Sequence, residues 1–273
     1  MAARDPHRYI NELDEAALQR LIARLESRAK DAVFAGLLDK YIARLKLQPS
    51  ARVLEVGCGT GANLRKLVRC GDFRGESVGV DQCQTFIDAA GTFAQIEGVG
   101  DKIMFQVGDA HHLDFPSGTF DAVIAHTLVS HAADPALVMK EMARVVRPKG
   151  TVVIFDGDYS SLTFGYPDHD FGCRMDAALA NATFNNPRIM RDLPRLLSDY
   201  GLELVAAWGD AVTEIGNGSY FKSFAETYVP YVIKANLLPQ SAVEDWMNDQ
   251  QQAMEDGKFF ACCNYYTYMV RRQ

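Results

Sequence analysis

The chain has 273 residues, 48% of them apolar and 23% charged, with a formal net charge of −7 at pH 7. That length is ample for a core, and the acidic balance argues against a general binder of nucleic-acid backbones. Six cysteines with no C-x-x-C pair, two of them adjacent, suggest neither a zinc site nor a disulfide framework.

Residues 1–15 are polar and charged, without the apolar run of a targeting signal. No stretch approaches the ~20 apolar residues of a membrane span. The expectation is a cytoplasmic protein with neither a membrane nor a nucleic-acid partner.

Residues 9–47 read as helical. Leu18, Leu21, Ile22 and Leu25 recur at helical spacing behind Asp14, a candidate N-cap; Val33, Leu37, Leu38, Tyr41, Ile42 and Leu45 repeat the pattern before Pro49 stops it. Next, residues 53–56 form an apolar strand containing Glu55, which breaks into Gly57-Cys58-Gly59-Thr60-Gly61 and a helical pattern from Ala62. Glycines serve there because the turn needs unusual backbone angles and a ligand must approach the main chain. Residues 77–81 are a second strand ending in Asp81, at the spacing by which a βαβ unit brings a carboxylate to a ribose.

A third strand, 103–107, leads into Gly108-Asp109-Ala110, and a fourth, 120–126, ends at His126 before Thr127. Asp134-Pro135 opens a helix as N-cap and first-turn residue; Pro148-Lys149-Gly150 ends it, and 151–156 is a fifth strand. Residues 157–200 read as irregular, then helical from Asn186 to Tyr200, with Asp156 and Asp158 in a solvated turn and Arg188, Arg191 and Arg195 on a solvated face. Strands at 202–208 and 259–270 flank a partly helical insertion, 220–256. This alternation means a doubly wound α/β sheet that binds ligands at the carboxyl ends of its strands.

From the helix before Pro49 through Asp156, the succession resembles the core of class I S-adenosylmethionine (SAM) dependent methyltransferases. It most resembles their ubiquinone/menaquinone-biosynthesis branch, to whose later motifs Phe120-Asp121-Ala122-Val123, Pro135 and Arg147-Pro148-Lys149-Gly150 are similar. The resemblance implies a Rossmann-like doubly wound seven-stranded sheet, mostly parallel with an antiparallel C-terminal strand, plus N-terminal helices and a helical insertion before the last strand. One domain would comprise a helical lid (1–48), a SAM-binding core (49–158), substrate-side segments (159–200 and 215–258) and C-terminal strands (201–214 and 259–273).

It also implies SAM as cofactor, without a metal. Glu55, Gly57, Gly59 and Gly61 would hold the methionine part, with Cys58 at a variable position of the same turn. Asp81 would take the ribose with Gln82 beside the adenosine; Gly108, Asp109 and Ala110 would face adenine; His126 and Thr127 would lie near the sulfonium. Four rivals fit less well: a nicotinamide-dependent oxidoreductase, a metal-dependent catechol-type enzyme, an amino-methylating nucleic-acid enzyme and a non-catalytic SAM-binding regulator.

The expected reaction is in-line methyl displacement driven mainly by positioning. His126 and His131, after strand four, are the candidate bases; His111 and His112 read as solvent-facing, and His7 and His169 carry no signal. Tyr9, Tyr159, Phe164, Tyr220, Phe224 and Tyr228 could line an apolar box for a small aromatic or hydrophobic acceptor. The aromatic insertion would also suit a homodimer.

Overall fold

The computed structural model describes residues 5–273, so the first four residues of the expected lid lie outside the described residues. Seven strands form one sheet: β1 (Arg52–Val56), β2 (Glu76–Asp81), β3 (Ile103–Val107), β4 (Phe120–His126), β5 (Val146–Phe164), β6 (Leu202–Gly216) and β7 (Phe259–Arg272), in the order β3-β2-β1-β4-β5-β7-β6. The first five run parallel, and β7 lies antiparallel between β5 and β6. This is the mostly parallel sheet with an antiparallel last strand that the motifs imply. Strand order reverses between β1 and β4, and the crevice at their carboxyl ends is the switch point where such sheets bind ligands.

The crossover helices α3 (Ala62–Leu67), α4 (Gln84–Ile96) and α5 (Pro135–Val145) cover both faces. Central strands therefore read as continuous apolar runs, and Val53, Leu54, Val56, Val123 and Ala125 are fully buried. Ahead of the sheet lie α1 (Glu15–Lys30) and α2 (Ala32–Leu45). Asp14 caps α1 through the Ala17 amide, and Asp31 divides the expected helical stretch by capping α2 through the amides of Val33 and Phe34. The cap turns Val33 to solvent, so it leaves the apolar face assigned to it.

The largest departure is β5. Its 19 residues begin directly after α5, so Pro148-Lys149-Gly150 lies in the strand and does not end the helix. The strand then runs on to Phe164, because β7 pairs with it from Thr151 to Phe164. What read as irregular is thus strand, followed by α6 (His169–Thr183) and α7 (Ile189–Leu196); α8 (Tyr220–Lys234) and α9 (Gln240–Glu255) fill the insertion. Asp156 and Asp158 are accordingly buried rather than in a solvated turn. Asp156 accepts hydrogen bonds from Ser130, and the buried Asp158 pairs at 2.7 Å with Arg191, which stays on the exposed face expected of it. Among the described residues no helix is long and apolar enough to cross a membrane.

Candidate active site

β1 delivers the chain into Gly57, Gly59 and Gly61, all at positive φ. A side chain at Gly57 would meet Leu128 at 2.7 Å, and one at Gly59 would meet Leu25 of α1 at 3.1 Å. The turn is thus pressed between the exit of β4 and α1. Thr60 Oγ1 donates to Glu26 of α1 at 2.6 Å, and Arg65 of α3 pairs with the same carboxylate. Below the turn, Glu55 is 1% exposed. Its Oε1 accepts from Asn63 Nδ2 at 2.6 Å, and its Oε2 has no partner among the described residues. Burial pushes this carboxyl up to about 8, so it is largely protonated at neutral pH.

The turn opens onto a cavity of about 360 Å³. On its sheet side, Asp81 accepts from the amides of Gly59 at 2.9 Å and Cys83 at 3.0 Å. Gln82 donates to the His7 carbonyl, and Asp109 is oriented by the amide and ring of His111. Thr127 follows β4 with φ of 55°, a conformation that a β-branched residue keeps only where its surroundings impose it. Its Oγ1 accepts from Arg28 Nη2 at 2.9 Å.

The opposite wall is aromatic. Tyr220, Phe224 and Tyr228 repeat every four residues along α8 and share one face, while Tyr159 of β5 stacks on Phe184 after α6. The two histidines after the fourth strand differ sharply. His126 is 5% exposed, with Nδ1 2.9 Å from the Tyr41 hydroxyl. Burial first, and the Arg28 charge second, hold it well below the usual histidine range, so it is neutral. His131 instead places Nδ1 2.8 Å from Asp5 Oδ2. A carboxylate there accepts the Nδ1 proton and leaves the lone pair on Nε2.

Asp5 also accepts from the amides of His7, Arg8 and Asn185, which locks the dyad. His7 lies over His131 with centroids 4.4 Å apart and shares a 2.9 Å hydrogen bond with the Tyr228 hydroxyl. Burial, then His131, Arg28 and Arg24, hold it low and neutral.

One cavity therefore gathers Gly57, Cys58, Gly59, Asp81, Gln82, Gly108, Asp109, Ala110, His126, Thr127, His131, Tyr9, Tyr159, Tyr220, Phe224 and Tyr228. Three candidates lie elsewhere. Glu55 sits one layer below the wall. Gly61 caps α3, and its missing side chain makes room for Phe105. Phe164 is in the core, packed edge-to-face on Phe221 and Trp246, because the lengthened β5 carries it beneath α8 and α9.

His111, expected in solvent, lines the cavity, as does His7. The motifs did not identify Asn63, Arg24, Arg28 or the Asp5 partner of His131. The arginines did leave a signal: Arg24 and Arg28 follow Ala17 and Leu21 at helical spacing, and so place charges on the apolar face of α1.

The fold is a Rossmann-like doubly wound sheet, with a glycine turn at the switch point and a cavity against it. Residues 54–154 match the model of the methyltransferase-domain family. An uncharacterized 37.1 kDa protein in transposon TN4556 of Streptomyces fradiae is 24% identical over 260 residues, 94% of this chain and 73% of the relative. Sterol 24-C-methyltransferase of Yarrowia lipolytica is 32% identical over 120 residues, 43% of this chain but only 31% of that enzyme. Geranyl diphosphate C-methyltransferase from Streptomyces coelicolor, solved with Mg2+, geranyl diphosphate and S-adenosyl-L-homocysteine, superposes with a TM-score of 0.56 at 16% identity, over 88% of this chain and 80% of that one.

Proposed function

We propose that the protein transfers a methyl group from SAM to a small molecule with an aromatic or otherwise hydrophobic body. The observation that carries this reading is the single cavity: its one wall is the glycine turn with Asp81 and Asp109, its other an aromatic chamber. SAM would supply a methyl group already activated by its sulfonium.

The residues present fit that cofactor. Asp81 spends acceptor sites on the main-chain amides of Gly59, Cys83 and Gln82, and a carboxylate has about four, so it keeps capacity for a ribose hydroxyl. Asn63, its amide fixed by Glu55, keeps Oδ1 for an ammonium group, and Arg28 at Thr127 suits the methionine carboxylate. Asp109 and Ala110 border the place for adenine.

On the acceptor side, Tyr159, Phe184, Phe224 and Tyr228 bind and orient an apolar body, and residues 5–10 exclude water. Holding the reacting atom in line contributes about 7–11 kcal/mol where the geometry is right. His131 accepts the acceptor's proton at Nε2, with Asp5 holding the tautomer. His126, neutral and tied to Tyr41, shapes the wall.

Calorimetric titration with S-adenosylhomocysteine (SAH), with NADP+ as control, tests the reading. Micromolar SAH binding and none by NADP+ is the expected result; the reverse would return the chain to the oxidoreductases.

A further inference from the structure

The lid helix brings two guanidinium groups to the cavity, and the methionine carboxylate accounts for one. Arg28 is beside Thr127, where that carboxylate is expected; Arg24, one turn earlier, is not. Arg24 is 8% exposed. Its guanidinium lies 5.0 Å from the ring centroid of Tyr220, 5.1 Å from Phe224 and 5.0 Å from Tyr228, and Nη1 donates to Ser223 Oγ at 3.2 Å. Among the described residues no carboxylate pairs with it. The contrast is Arg65, equally buried, which the fold gives two, Glu26 and Glu97. A guanidinium laid against aromatic faces keeps N–H edges free, the geometry that takes an oxyanion.

The surroundings point the same way. Arg24 stands between the main cavity and a recess of about 210 Å³ whose wall includes Arg28, Lys30, Ser27 and Ser223. The one carboxylate on that wall, Asp31, is engaged in capping α2. The amides that open α8 are already taken by Glu214, together with the Ser219 hydroxyl. The recess therefore offers three side-chain cations, Arg24, Arg28 and Lys30, and serine hydroxyls against one carboxylate, Asp31, whose Oδ1 is spent on the cap.

We infer that Arg24 and this recess bind an acidic group, carboxylate or phosphate, carried by the methyl acceptor, whose apolar body then lies along Tyr220, Phe224 and Tyr228. The inference rests on the methyl-transfer reading and narrows its substrate class to amphipathic acids.

The test is calorimetric titration of phenyl phosphate, 3-phenylpropanoate and the neutral 3-phenylpropanamide into protein saturated with SAH. At least one anion should bind about tenfold more tightly than the amide, and the tighter of the two tells phosphate from carboxylate. Arg24→Met should abolish the preference and leave SAH affinity within about twofold, while Arg24→Lys keeps part of it. Equal binding of anion and amide, no anion binding up to about 10 mM, or a preference that survives Arg24→Met would overturn the inference. So would loss of SAH affinity in Arg24→Met, which would give Arg24 to the cofactor. The wild-type comparison stands even if that variant fails to fold. Failure of wild-type protein to bind SAH at all would instead sink the methyl-transfer reading.

Discussion

The two halves of the cavity are made by different means. The sheet-side half is main chain: Gly57 and Gly59 at positive φ, two amides gripped by Asp81, and a strained Thr127. The lid-side half is side chains brought from afar, for His7 meets Tyr228 across 221 positions and Asp5 meets His131 across 126. A half built from turns is fixed by local geometry. A half built from distant side chains exists only once the whole chain has packed. Cofactor binding and turnover should therefore fail separately.

The sharpest separation should come from His131. Replacing it with Ala should slow single-turnover transfer at saturating SAM about 100-fold or more, with SAH affinity nearly unchanged; His126→Gln should cost far less. Equal losses at the two histidines would erase the distinction drawn from Asp5 and Tyr41.

On the other side, Asp81→Ala should weaken SAH binding about 50-fold, by loss of charged hydrogen bonds to the ribose and collapse of the Gly59 amide's anchor. A loss under about fivefold would break the assignment of the sheet-side half to the cofactor. Arg28→Met tests the seam between the halves: about a tenfold loss of SAH affinity by calorimetry, without a change in the rate of the saturated complex.

The smallest effect is a pH dependence. Burial pushes the Glu55 carboxyl up to about 8, against the ordinary 4.5. Between these values the native state holds a proton that the unfolded chain lacks, so this group's contribution to stability falls as pH rises through that window. If the cofactor's ammonium draws Glu55 into its ionised form, SAH binding releases a proton and strengthens about fivefold from pH 7 to pH 8. Calorimetry in buffers of different ionisation heat reads that proton directly, and Glu55→Gln should abolish the Glu55 contribution.

The same contrast explains what could be read from the amino-acid order. The glycine turn, the acids ending β2 and β3, and the N-caps Asp14 and Asp134 are short-range demands of backbone geometry, and each is visible within a few residues. The strand extension to Phe164 was hidden, because its cause is pairing with β7, about a hundred residues later. Phe164 was misplaced among acceptor contacts for the same reason. His7 and Asp5 carried no pattern at all: their partners, Tyr228 and His131, are neighbours only in three dimensions. Arg24 and Arg28 lay between these extremes, legible as charges on an apolar helix face.

One further consequence concerns the segment from Asp5 to Asn11. It is fastened to the sheet-side half, where Gln82 donates to the His7 carbonyl and Asn11 donates to the Gln82 carbonyl, and to the lid-side half through Tyr228 and His131. A single clasp thus spans both halves of the cavity. A bound acceptor should lengthen the residence time of the methyl donor, so that a labelled donor trapped with acceptor partitions toward product and not back to solvent. Commitment to catalysis, in that sense, would rest on the segment Asp5–Asn11.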